Sequence, residues 1–177
     1  DLLGERWTFL ILRELLIQPC RFKELNTYLK GMGTNLLTAR LKELEGAGII
    51  ERSIFGDKRS AYKLTSVGRS LEPTVLSMTK WGLEHTRNSK GYIHFDHWDL
   101  LAMKALFSPL KTSQTIIVQF NCERLVGWCK VMPLSCEIGM GIHAEAAVTV
   151  QEPVSWLQKA KPSQLTETLT AFVKCFQ

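Results

Sequence analysis

Two glycine pairs, Gly31/Gly33 and Gly46/Gly48, bracket a stretch in which Leu37, Leu41 and Leu44 recur at i, i+4 and i+7. That spacing lays one apolar stripe along a helix and leaves its other face to solvent or a partner. The glycines suit both ends. Before the helix they permit a tight turn with positive φ, and after it they offer left-handed C-cap positions. Thr34 is the predicted N-cap.

The flanking segments extend the pattern. Trp7, Leu10, Ile11 and Leu15 mark the buried face of a first helix that ends near Pro19. A second helix is predicted from about Arg21 to Leu29, burying Phe22, Leu25 and Leu29. After Gly48, Ile49 to Ile54 reads as a strand, Gly56 to Ser60 as a polar turn and Ala61 to Leu64 as the returning strand. Thr65 is placed to cap a long helix through about Thr86, with Pro73 tolerated near its start or kinking it. Helix, helix, turn, helix, hairpin, helix is the order of a winged helix-turn-helix, and that order is more specific than any one element.

Composition changes near residue 90. Residues 1–90 carry 15 Lys+Arg against 10 Asp+Glu, whereas residues 91–177 carry 7 of each, so the whole net charge of +5 sits in the first half. A basic domain of about residues 1–90 joined to a neutral accessory domain of 91–177 is expected, the first suited to a polyanion. In the second half, His97 to Phe107 reads as a helix. Thr115 to Phe120, Leu125 to Val131 and, more loosely, Ile142 to Val150 read as strands, with a turn at Asn121 to Arg124. Helices are predicted over Pro153 to Ala160 and Pro162 to Phe176. The fold class is therefore α+β, a winged helix-turn-helix followed by a small α+β domain.

With the leucine stripe inward, Thr34, Asn35, Thr38 and Lys42 point outward and Arg40 lies on a flank. No acidic residue stands between Gly33 and Lys42. Asn and Arg match adenine and guanine edges, and a helix N-terminus offers amides to phosphate. Arg40 also stands three residues before Glu43, a spacing that allows an ion pair within the helix. Lys58 and Arg59 occupy the hairpin tip, Arg52 and Lys63 its strands, and Arg21 and Lys23 the start of the second helix. These eleven residues are the candidate contacts to double-stranded DNA.

Other chemistries find little footing. The five cysteines form no C-x-x-C pair, which argues against a disulfide framework or a zinc site and for small buried thiols. His85, His94, His97 and His143 lack catalytic or metal-site spacing, and His94 to Asp99 reads as a solvated connector. No catalytic centre, metal or cofactor is expected. No apolar run reaches the roughly 20 residues needed to span a bilayer. The acidic Asp1 and Glu5 do not resemble a signal peptide, so a cytoplasmic location is expected.

Several motifs, Leu3-Gly-Glu-Arg-Trp-Thr, Ile11-Leu-Arg-Glu-Leu-Leu, Arg21-Phe-Lys-Glu-Leu, Arg40-Leu-Lys-Glu-Leu-Glu, Gly48-Ile-Ile-Glu-Arg, Tyr62-Lys-Leu-Thr and Trp81-Gly82, resemble in order the HxlR family of MarR-related bacterial regulators. The resemblance implies a homodimer built by the first helix and the helix around Leu76 to Trp81. It also implies that Thr34, Asn35, Thr38, Arg40 and Lys42 face DNA, with Lys58 and Arg59 at the wing tip. Some members sense oxidants through a cysteine upstream of Gly-x-x-Trp. Asp1 falls after that position and Cys20 matches no sensor position, so no thiol switch is expected here. The second half resembles, in pattern and order, a sterol-carrier-protein-type domain, which implies a small hydrophobic ligand. By themselves Phe120, Trp128, Val148, Trp156 and Phe172 read first as a plain core rather than a pocket lining. The alternative is a lipid- or ligand-binding protein whose winged helix makes protein contacts only.

Overall fold

A computed structural model describes residues 2–55, 59–85, 95–108, 114–123, 125–151 and 167–176. The chain divides into two compact units, Asp1–Ser77 and Met78–Gln177.

In the first unit a 3-10 turn, Leu2–Gly4, leads into α1 (Arg6–Ile17). This helix buries Thr8, Ile11, Leu12, Leu15 and Leu16. Trp7 and Leu10, expected on the buried face, are only half-buried, because that face is centred one position further round. The helix stops where Gln18 turns extended, as the residue before Pro19 must. Buried Glu14 is satisfied by the neighbouring Arg13, whose Nη2 lies 2.7 Å from Oε1. α2 (Phe22–Tyr28) buries Leu25. Its first turn is tied by the Arg21 amide, which donates to Glu24 Oε2 at 2.6 Å.

α3 (Thr34–Gly46) buries the predicted stripe, Leu37, Leu41 and Leu44. Thr34 is its first helical residue rather than the cap, a position that falls to Gly33. Of the leading glycine pair only Gly31 adopts positive φ (+90°); of the trailing pair it is Gly48, at +69°. β1 (Ile50–Phe55) and β2 (Arg59–Leu64) form an antiparallel hairpin from Ile50↔Leu64 to Phe55↔Arg59. The returning strand thus begins two residues earlier than expected. A bridge between Cys20 and Tyr62, with amide–carbonyl distances of 3.0 and 2.8 Å, stitches the α1–α2 link to β2.

Thr65 caps as predicted, its Oγ1 accepting the Gly68 amide at 3.1 Å and lying 2.6 Å from the Gly48 carbonyl. The long helix expected after it is two, α4 (Ser66–Arg69) and α5 (Glu72–His85). Pro73 is the cause: its ring excludes a helical carbonyl four residues earlier, at Arg69, so the chain breaks and restarts with proline in the first turn. Gly68 sits where a Cβ would collide with the Ile49 carbonyl oxygen.

In the second unit α6 (Trp98–Leu106) is followed by β3 (Ile116–Cys122), β4 (Leu125–Val131), β5 (Cys136–Met140), β6 (Val148–Val150) and α7 (Glu167–Lys174). The sheet order is β5-β4-β3-β6, antiparallel except for the parallel β3–β6 pair. α6 packs on β4 and β5, and α7 on β3. Between them lies a core of Leu100, Val118, Phe120, Leu125, Cys129, Val131 and Phe172.

Four features of the second unit differ from expectation. β5 was not anticipated. The strand expected over Ile142 to Val150 is reduced to Val148–Val150, because Gln119 holds the preceding segment as a turn: its Oε1 accepts the His143 amide at 2.9 Å. β3 also runs to Cys122, so its turn with β4 is tighter than expected. His97, expected in a solvated connector, is buried beside Phe95 and Trp98. The predicted helix from Pro153 to Ala160 lies outside the described residues. All five cysteines are free; Cys129 and Cys136 meet inside the core with sulfurs 3.4 Å apart.

Replacing Gly68 with alanine is expected to cost the first unit about 3 kcal/mol, because backbone rather than a movable side chain occupies the space. Urea denaturation monitored by circular dichroism measures this.

Candidate nucleic-acid interface

α2, the Lys30–Gly33 turn and α3 form the helix-turn-helix, and the β1–β2 hairpin is its wing. The turn is fixed by Gly31 and by Met32, which is buried and whose amide donates to the Leu29 carbonyl at 3.0 Å. With Leu37, Leu41 and Leu44 inward, α3 exposes Thr34, Asn35, Leu36, Thr38, Ala39 and Lys42, and beyond them Glu43. Its cap, Gly33, brings no side-chain hydrogen bond, and its first turn has no acidic residue. The leading amides and the positive end of the helix dipole therefore face outward, suited to an anion. Thr38 Oγ1 donates to the Thr34 carbonyl at 2.8 Å, leaving its methyl and its oxygen lone pairs for other contacts.

The candidate cations meet different fates. Lys23 and Lys42 are exposed and make no ion pair with any described carboxylate. Arg40 is engaged: its guanidinium lies 2.7 Å from Glu43 and 3.1 Å from Glu5, and its side chain is 13% exposed. Glu5 is the residue that caps α1, so Arg40 ties the start of α1 to α3. On the wing, Arg52 contacts Glu45 at 3.4 Å and lies over the Tyr62 ring, while Lys63 pairs with its cross-strand neighbour Glu51 at 3.0 Å. Arg59 is exposed on β2 and Arg21 is half-buried at the start of α2. Lys58 lies outside the described residues. Sequence reasoning passed over Leu36 and Ala39, which share the outward face; the signal was their spacing against the leucine stripe.

Cys20 is buried behind this surface. Burial, with Glu14 and Glu24 close by, pushes its thiol well above the ordinary range, so it stays protonated rather than becoming a reactive thiolate.

A helix-turn-helix whose second helix leads with an exposed, acid-free N-terminal half and is flanked by a hairpin defines the winged-helix class. Residues 2–90 match the HxlR-like helix-turn-helix family, and the chain belongs to that family. An HTH-type transcriptional regulator of Synechocystis is 40% identical over 84 residues, covering 46% of this chain and 62% of the relative. The HTH-type transcriptional regulator YvaP of Bacillus subtilis is 36% identical over 86 residues, covering 48% of this chain and 80% of the relative. The solved structure of the reduced form of the transcriptional regulator YodB from B. subtilis is 33% identical, covering 50% of this chain and 89% of that one, with a TM-score of 0.42.

Two outcomes are expected. Arg40→Ala lowers the thermal stability of the first unit by about 1 kcal/mol, whereas Lys42→Ala leaves it unchanged. Cys20 adds a pH dependence. The unfolded thiol ionises near pH 8.5 while the folded one does not, so the unfolded state binds fewer protons above that pH. Stability contributed by this group is complete below about pH 8.5 and falls by about 1.4 kcal/mol per unit above it. Denaturation at pH 8, 9 and 10 should show a shallower decline in Cys20→Ala.

Proposed function

We propose that the protein is a sequence-specific DNA-binding transcriptional regulator that acts as a homodimer, with α3 in the major groove and the β1–β2 wing along the adjacent backbone. The observation that carries this reading is the exposed, acid-free first two turns of α3, together with two exposed lysines, Lys23 and Lys42, that pair with no described carboxylate. Thr34, Asn35 and Thr38 face base edges. Lys23, Lys42, Arg21, Arg52, Lys58, Arg59 and Lys63 meet phosphates, and Arg40 positions α3 through Glu5. The DNA-binding domain extends to about residue 90, in keeping with the family match.

Exposed Met78 and Trp81 on α5 support the dimer reading; Trp81 is 60% exposed with the His85 ring stacked on it at 5.0 Å. A two-fold dimer requires a pseudo-palindromic operator with half-sites about one helical turn apart. Residues 91–177 are an accessory domain of sterol-carrier-like build governed by a small apolar ligand. The two described helices, α6 and α7, packed against a four-stranded sheet support that build.

A mobility-shift titration against DNA upstream of the protein's own gene, at two salt concentrations, tests the proposal. A retarded complex that weakens steeply with salt is expected, because neutralised phosphates release counterions. Lys23→Ala and Lys42→Ala should each flatten the logarithmic salt slope by about 1 per monomer engaged. No complex even at low salt would point to a winged helix that makes protein contacts only.

A further inference from the structure

The outward face of α3 has an apolar centre. Opposite the buried Leu37–Leu41–Leu44 stripe stand Asn35, Ala39 and Lys42, with the same i, i+4, i+7 spacing. Ala39 lies between an amide and an ammonium, and Leu36, 40% exposed, stands beside it. Arginine is withheld from this centre, since Arg40 is turned away into its pairs with Glu5 and Glu43. The first two turns of α3 therefore offer one bidentate amide, two threonines and the aliphatic groups of Leu36 and Ala39, with no guanidinium to match guanine.

Only one base displays an aliphatic group in the major groove, and that is thymine through its 5-methyl. A G·C pair at the same place would press its polar edge against Leu36 and Ala39 and leave it without hydrogen-bond partners. Ala39 is also small enough for the helix to approach the groove floor, where Asn35 can span the N6 and N7 of adenine. We infer that each operator half-site presents an A·T step to α3, with adenine read by Asn35 and a neighbouring thymine methyl packed against Ala39 and Leu36. This rests on the DNA-reading role proposed above and names the sequence class that it reads.

The test uses the full chain and a duplex selected by it from a random-sequence pool, resynthesised with deoxyuridine replacing thymine one position at a time. Deoxyuridine keeps the hydrogen-bonding edge and removes only the methyl. Fluorescence anisotropy should show about a fourfold loss of affinity at one or two positions per half-site. Leu36→Ala and Ala39→Gly should shrink that thymine-to-uracil ratio toward one, while Lys42→Ala weakens both duplexes equally and keeps the ratio. Equal binding of thymine and uracil duplexes at every position would overturn the inference while leaving the DNA-reading role standing, provided the salt slope persists. A ratio untouched by both α3 variants would overturn it as well. If no duplex is retained at low salt, the DNA-reading role falls and the inference with it.

Discussion

Burial of Leu37, Leu41 and Leu44 fixes the rotation of α3, and the chemistry of the first unit depends on it. Each leucine is almost completely removed from solvent, worth about 2 kcal/mol apiece. A turn of one residue about the helix axis would move all three out of the core and carry Thr38, Lys42 and Glu45 inward, burying two charged side chains in an apolar setting. Which side chains meet a partner is therefore decided by the stripe that does not. The same register places Arg40 within reach of Glu5, so the inward packing and the tie to α1 reinforce one another.

The basic excess of the first half is less informative than the company each cation keeps. Lys63 and Arg52 are held by acids that strand register and helix position bring alongside, Glu51 and Glu45. Such exposed pairs are worth under about 1 kcal/mol and exchange readily for a phosphate. Arg40 differs because its side chain is mostly buried and two carboxylates already share it. Drawing it onto a base would undo the contact that seats α1. Lys23 and Lys42 carry no such commitment to any described carboxylate.

Most of the first unit was legible because its signals are local. Period-3.6 leucines, a threonine cap at Thr65 and the positive-φ glycines Gly31 and Gly48 each act within a few residues. The failures there come from tertiary context. Trp7 looks like core by spacing, yet the face of α1 is set by what α2 and the hairpin leave uncovered. Whether Pro73 bends a helix or divides it depends on how the chain turns at Ser70 and Leu71, which spacing does not report. The candidate site was legible as a face but not as a set of free groups. The Arg40–Glu43 pair is local and was visible in the spacing, whereas the Glu5 contact that seats α1 is not.

The second unit was legible only where a strand signal is long enough to count. β4 alternates over its seven residues, and β3, also of seven, opens on a run of five buried side chains. β5 has five, and its Gly139 next to Met140 and Gly141 reads as loop. Yet Gly139 is a requirement of the sheet: the Trp128 ring lies across it and leaves no room for a Cβ. Gln119 misleads in the opposite way. It stands where alternation assigns a solvent-facing polar residue, but it is buried, with its amide nitrogen 2.9 Å from the Gly127 carbonyl and 3.1 Å from that of Gly141. With His143 bound to its oxygen, one side chain holds β3, β4 and the segment after β5 together. A polar residue satisfied by backbone from three places has the same sequence signature as one satisfied by water, so the sheet's second face stays hidden until the pairing is known.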